Sequence, residues 1–204
     1  MNAPLVKAIR PAIGSPFEGG FYAGDFRIGE QQFALIVSPK AEGDHDAIAW
    51  NDSYKKVEGA LTYNDGLVNT DAMAAAGSKL AKWARGLRIE GHDDWYIPSQ
   101  DELEIIYRSL KPTNAENYLY ARAGINASAI PPTYPYTADL PAQTNAELFQ
   151  KGGPEALEES WYWTSTQHAS SERYAWVQDF GGGGQDYYHK DDGCRARAVR
   201  RLPL

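Results

Sequence analysis

The strongest periodic signal lies between Asn69 and Arg88, where Ala72, Met73, Ala76, Leu80, Trp83, Ala84 and Leu87 recur every three or four residues. Such spacing puts them on one side of a helix and predicts a single helix over the whole stretch, capped by Thr70 or Asp71. The polar run Gly91-His92-Asp93-Asp94 lies beyond it. A second helix is predicted from Ser99 to Leu110, with Leu103, Ile106, Tyr107 and Leu110 as its apolar stripe. Ser99 and Glu102 stand at the spacing of a capping box, in which each side chain satisfies a backbone N–H at the helix start, and Pro112 stops the helix.

Elsewhere the pattern alternates. Phe17 to Val37 reads as a β-hairpin turning at Gly29-Glu30, with Phe26 and Ile28 spaced between polar neighbours. Residues 38–68 read as loop, with a turn at Asn64-Asp65-Gly66. Residues 111–160 are irregular and proline-rich, with short helices predicted from Thr144 and from Pro154. The tail predicts four strands (Trp161 to Thr166, Tyr174 to Phe180, Gln185 to Lys190 and Cys194 to Arg201) joined as an antiparallel meander, with Gly181 to Gly184 as a flexible hairpin turn. No internal repeat is present.

The chain has 204 residues, enough for a single domain over 17–204 behind an N-terminal extension over 1–16. The longest apolar run, Phe33 to Val37, is far shorter than the roughly 20 residues a bilayer span requires. Met1 to Arg10 carries no signal-peptide pattern, so synthesis in a host cytoplasm and release by another route are expected. A formal net charge of −7 argues against binding a polyanion. The basic run Arg195, Arg197, Arg200 and Arg201 is read as a strand with solvated arginines, not as a nucleic-acid site. Cys194 is the single cysteine, which excludes an intrachain disulfide; it is expected to be buried with Ala196 and Ala198, hence unreactive. Thirteen tyrosines and six tryptophans make the chain rich in side chains that serve both cores and binding surfaces.

Four segments carry a recognisable pattern. Trp95-Tyr96-Ile97-Pro98-Ser99 followed by Glu102-Leu103 resembles the motif W-[RY]-[LI]-P-[ST]-x-x-E-L. Trp161 to Thr166, Tyr174 to Phe180 and Arg195 to Arg200 resemble its closing Y-W-[ST]-S-T, A-W-x-x-x-F and R-x-R-x-V-R elements. In that order, over roughly residues 69 to 201, they resemble the C-terminal domain of bacterial collagen-like adhesins, a family common in phage and prophage proteins. The resemblance implies an α+β, C-type-lectin-like fold: two helices packed on small antiparallel sheets, with an N-terminal β-hairpin. This fold is shared with formylglycine-generating enzymes and with the variable proteins of diversity-generating retroelements. Trp83, Trp95, Trp161, Trp163 and Trp176 are expected in the core, and the loops between the last strands are expected to project from one face.

The candidate binding surface is therefore His168, Ser170, Glu172, Arg173, Gln185, Asp186, Tyr187, Tyr188, His189, Lys190, Asp191 and Asp192. Tyr187 and Tyr188 cannot both point inward from one strand, so one of them is the expected anchor, with Arg173 and Lys190 at the rim. No catalytic residue, metal ligand or cofactor is assigned. Trp50-Asn51-Asp52 copies a lectin calcium motif, but too far upstream and without the accompanying Glu-Pro-Asn, and a hard cation needs six or more oxygens. His45, His92, His168 and His189 lack zinc-site spacing, and Gly181 to Gly184 lacks the Gly-Lys-Ser/Thr of a phosphate loop. These readings predict a non-enzymatic binding module that acts as a receptor-binding protein on a phage tail. Its partner would be a host cell-surface glycan or protein, or another virion subunit, and a homo-oligomer is expected. A purely structural virion protein is the alternative, and a formylglycine-generating-type enzyme a more distant one.

Overall fold

A computed structural model describes residues 10–120 and 122–204. In chain order the elements are β1 (Pro16–Phe17), β2 (Gly20–Ile28), β3 (Gln31–Val37), α1 (Lys40–Gly43), β4 (Asp44–Ala49), α2 (Gly66–Ala75), α3 (Lys79–Gly86), α4 (Gln100–Leu110), β5 (Ala129–Ile130), β6 (Trp161–Gln167), β7 (Tyr174–Asp179), β8 (Gln185–His189), β9 (Gly193–Arg197) and β10 (Val199–Pro203). The architecture is α+β and C-type-lectin-like. One sheet runs β1-β2-β3-β10, with β5 also paired to β2; the other runs β4-β9-β6-β7-β8.

The hairpin forms where the glycine pattern places it, with Ile28 opposite Gln31 across the Gly29-Glu30 turn. Of the N-terminal extension, residues 1–9 lie outside the described residues. Its remainder is packed on the domain: the Gly14 N–H donates to the Tyr22 carbonyl at 2.8 Å, and Arg10 pairs with Asp25 at 3.0 Å.

The helix expected over Asn69 to Arg88 is two helices. The apolar stripe runs on, but the backbone turns at Gly77, and Ser78 caps a fresh start by accepting from the Ala81 N–H. The second cap is Ser78, not a residue near 70; the first is Asp65, which accepts from Val68. The helix after Ser99 holds as expected, with both bonds of the capping box formed. Its Glu102 also accepts from Tyr96 and from the N–H of Gly66, so the box ties α4 to the start of α2.

Three expectations for the loops and tail are corrected. Residues 38–68 contain β4, hidden from an alternation test because both faces of the strand are half-covered and Asp44-His45-Asp46 mimics a turn. A short 3-10 turn, Glu147–Phe149, replaces the helices predicted from Thr144 and Pro154. The tail is not a simple meander: β6, β7 and β8 follow one another, but β9 returns to lie parallel to β6, and the chain then crosses at Ala198 so that β10 pairs with β3 of the other sheet.

The four arginines of this crossover are not solvated. Arg195 pairs with Asp44 and Asp46, Arg197 with Glu155, Arg200 with Asp94 and Arg201 with Asp65, at 2.7–2.8 Å. Arg197 is fully enclosed and also donates to the Ser38 carbonyl. Each carboxylate comes from a segment distant in sequence, so the motif ties β9 and β10 to distant parts of the chain instead of facing a ligand. Truncating one partner of such a buried pair leaves an uncompensated charge, which is costly.

The core has two main parts. Around α4, Leu103, Ile106, Tyr107 and Leu110 meet Phe26, Leu35, Tyr162 and Phe180. Under α2 and α3, Met73, Leu80 and Ala84 meet Trp50, Trp163, Val177 and Cys194. Trp95 and Trp163 are fully buried as expected, whereas Trp83, Trp161 and Trp176 are half-buried. Trp50, read only as part of a copied calcium motif, is fully buried and donates its indole N–H to the Thr164 carbonyl.

Candidate ligand-binding face

Strand pairing decides which tail side chains reach solvent. Across β7 and β8, Tyr174 lies opposite His189, Trp176 opposite Tyr187 and Gln178 opposite Gln185, so these share the outer face. Ala175, Val177 and Tyr188 point the other way, into the core under α2 and α3, where Tyr188 packs on Trp161 with ring centroids 5.3 Å apart. Of the two adjacent tyrosines, Tyr187 is the exposed one at 44%.

The outer face is an aromatic array. Tyr187 sits 5.2 Å from Tyr174 and 5.8 Å from Trp176, both edge-on. His168, from the end of β6, stacks on Trp176 at 5.6 Å and approaches Tyr187 to 4.7 Å. His189 lies 4.5 Å from Tyr174 and 5.9 Å from Tyr54, over which the Arg173 guanidinium is placed at 4.8 Å. Offset and edge-on contacts of this kind hold the rings in place while leaving their faces open.

Trp176 differs from the buried tryptophans in one respect. The indole N–H groups of Trp50, Trp95 and Trp163 each donate to a backbone carbonyl, of Thr164, His92 and Ile48 respectively. That of Trp176 is buried and finds no protein acceptor among the described residues. A buried donor left unpaired costs about 1–3 kcal/mol.

At its inner end the face closes. Gln185 is buried, accepting from Gln100 at 2.9 Å and donating to Gln178 at 2.8 Å, while Gln178 donates to the Gly183 carbonyl. The glycine turn beyond it is not a flexible hairpin. Asp179 accepts the N–H groups of Gly181 and Gly182, and the rings of Tyr118 and Tyr107 pack so closely on Gly182 and Gly183 that a Cβ would fall 2.3 and 2.2 Å from them. Next to it Tyr118, Leu119 and Tyr120 are more than half exposed.

Gln185 and Lys190 are therefore removed from the candidate surface. Lys190 is fully enclosed; its Nζ donates to Gln167 Oε1 at 2.6 Å and to the Lys55 carbonyl at 2.9 Å, above the Trp50 ring. Without a carboxylate partner in contact, burial lowers its pKa to about 8. Ser170, Glu172, Arg173, Asp191 and Asp192 are exposed, and His168, Asp186 and His189 half-exposed. Two of these aspartates cap the free edge of β8: Asp186 accepts from the Tyr187 N–H and Asp192 from the His189 N–H. Sequence reasoning missed Tyr54, Tyr174 and the Tyr118–Tyr120 segment. Tyr174 and Trp176 follow from the period-2 alternation once β7 is paired with β8; Tyr54 and Tyr118 join only through tertiary contacts.

Comparison with known families matches residues 43–200 to the Lcl C-terminal domain. The chain belongs to this family. The match spans β4 to the start of β10, so it contains the whole outer face of β7 and β8, and membership in the Lcl C-terminal domain family makes the chain an adhesin-like module. A search of curated proteins gives no match.

Two groups that the sequence offered as metal-site candidates have other partners in this Lcl C-terminal domain. His45 packs edge-on against Trp83, and Asp52 of the copied calcium motif pairs with Lys79. Among the described residues no group of three or more His, Cys, Asp or Glu is placed to hold a metal ion, and no helix is long and apolar enough to cross a membrane. Cys194 is 5% exposed, and burial pushes its thiol up to about 12.

Proposed function

We propose that this Lcl C-terminal domain is a non-enzymatic binding module of a phage tail, and that the outer β7–β8 face makes its contact with the host cell surface. The observation that carries this reading is the half-exposed aromatic array centred on Trp176 and Tyr187. Rigid aromatics on a sheet provide large contact area at small cost in side-chain entropy, the usual make-up of an interface centre. Turnover of the formylglycine-generating kind is disfavoured because it depends on a reactive cysteine pair, and the chain's one thiol is buried and strongly protonated.

A second reading, a structural subunit of the virion, is favoured by the exposed Tyr118-Leu119-Tyr120 segment beside the glycine turn, which suits a permanent protein neighbour. Either role is compatible with a homo-oligomer. Adsorption separates them. Purified particles carrying Tyr187→Ala are expected to assemble normally and adsorb to host cells at least tenfold more weakly, whereas Tyr188→Phe adsorbs normally. Normal adsorption by Tyr187→Ala particles would remove the attachment role from this face, and failure of assembly would favour the structural one.

A further inference from the structure

The charges around the aromatic face have one predominant sign. Glu172, Asp191 and Asp192 are exposed beside it, Arg173 is the basic side chain that stacks on one of its rings, and the Lys190 amine is enclosed. The Arg173 guanidinium lies 4.8 Å over the Tyr54 ring, whose hydroxyl the nearby Asp191 carboxylate holds above its ordinary pKa. The chain thus already contains one guanidinium read by a tyrosine ring with an aspartate beside it. Tyr187 is a second ring on the same face, open to solvent. Its ring is the most exposed of the array, and Asp192 uses a single oxygen to cap the strand edge at His189, leaving the other for a further donor.

We infer that the face takes a cationic segment of a protein partner, with an Arg or Lys laid over the Tyr187 and Trp176 rings and Asp191 and Asp192 forming the acidic rim. The inference rests on the proposed binding role of this face and narrows its partner. A cation over an aromatic ring is attracted by the ring's quadrupole, and acidic neighbours add electrostatic steering that salt screens. The same carboxylates repel a polyanion. Because the edge N–H groups of Tyr187 and His189 are already capped, the partner docks on the face and does not add a strand to the edge.

The test uses the full chain and three fluorescent nine-residue peptides of alternating Gly with Arg, Lys or Glu. The Arg peptide is expected to bind, less tightly as salt rises, and the Glu peptide not at all. Tyr187→Ala should weaken Arg-peptide binding roughly 3- to 30-fold, the range of one cation–π contact. Tyr187→Phe should stay within about threefold of the parent, because the ring remains. Asp191→Asn should reduce the salt dependence. No Arg-peptide binding, or binding that Tyr187→Ala leaves unchanged, overturns the inference; so does Tyr187-dependent binding of a neutral oligosaccharide such as maltoheptaose in place of the Arg peptide. These outcomes are separate from host adsorption. If adsorption depends on Tyr187 but the Arg peptide does not bind, the cationic partner is wrong and the attachment role stands.

Discussion

Trp163 and Trp176, two tryptophans of the same motif pattern, diverge in role. Trp163 is fully buried with its N–H paired to the Ile48 carbonyl, so Trp163→Ala should cost roughly 3–5 kcal/mol, as emptying a large core site does. Trp176 is half-exposed and Trp176→Ala should cost no more than about 2 kcal/mol of stability, with its larger effect on binding. Chemical denaturation of both variants checks the order; equal losses would place Trp176 in the core. Lys190 gives a pH signature. Its folded pKa, about 8, lies below the ordinary lysine value, so the folded state prefers the neutral amine. The stability this group contributes is full above about pH 10.5 and is lost as pH falls through about 8. The parent should therefore gain stability relative to Lys190→Met as pH rises across that window, a difference in which the opposite titration of Cys194 cancels. A flat difference would mean that the amine is solvated. The same residues show the limit of local reading. That Tyr187 or Tyr188 must be exposed followed from strand alternation alone, but the burial of Gln185 and Lys190 depends on Gln100, Gln167 and Lys55, which no tail pattern encodes.

Elements were legible where a local interaction defines them. The capping box starts α4 because Ser99 and Glu102 are three residues apart, and the Gly29-Glu30 turn sets the hairpin register for the same reason. The break between α2 and α3 was not legible, because the apolar stripe continues across Gly77 and only Ser78 marks the new start. Strand β4 was hidden for the opposite reason: its acidic residues read as a turn until the arginines of β9 arrive to pair with them. The glycine turn after β7 carries a prediction of its own. Gly183 has φ +78° and its Cβ position is occupied by the Tyr107 ring; Gly91 has φ +80° and open space. Gly91→Ala should lose about 1–2 kcal/mol from the left-handed backbone alone. Gly183→Ala should lose clearly more and also shift Tyr107 and α4. Thermal unfolding of the two variants is the check, and equal losses would show that the turn is loosely held.

For the molecule as a whole, the crossover from β9 to β10 joins both sheets, and the paired arginines along it explain why a basic run occurs in a chain of net charge −7 without marking a nucleic-acid site. This leaves the outer face of β7 and β8 as a surface that sits on a rigid frame and is not needed for it. The motif residues predicted that frame; the aromatic face emerged only when β7 and β8 were paired and Tyr54 was brought beside them from 120 residues upstream. The central claim is that this face is the contact site, and side-chain oxidative footprinting of the particle on host cells tests it most directly. The account predicts that Tyr187, Trp176 and His168 lose labelling on attachment while Tyr134 and Leu148, on another part of the surface, label as in the free particle. Unchanged labelling of Tyr187 and Trp176, with protection at Tyr134 and Leu148, would contradict it.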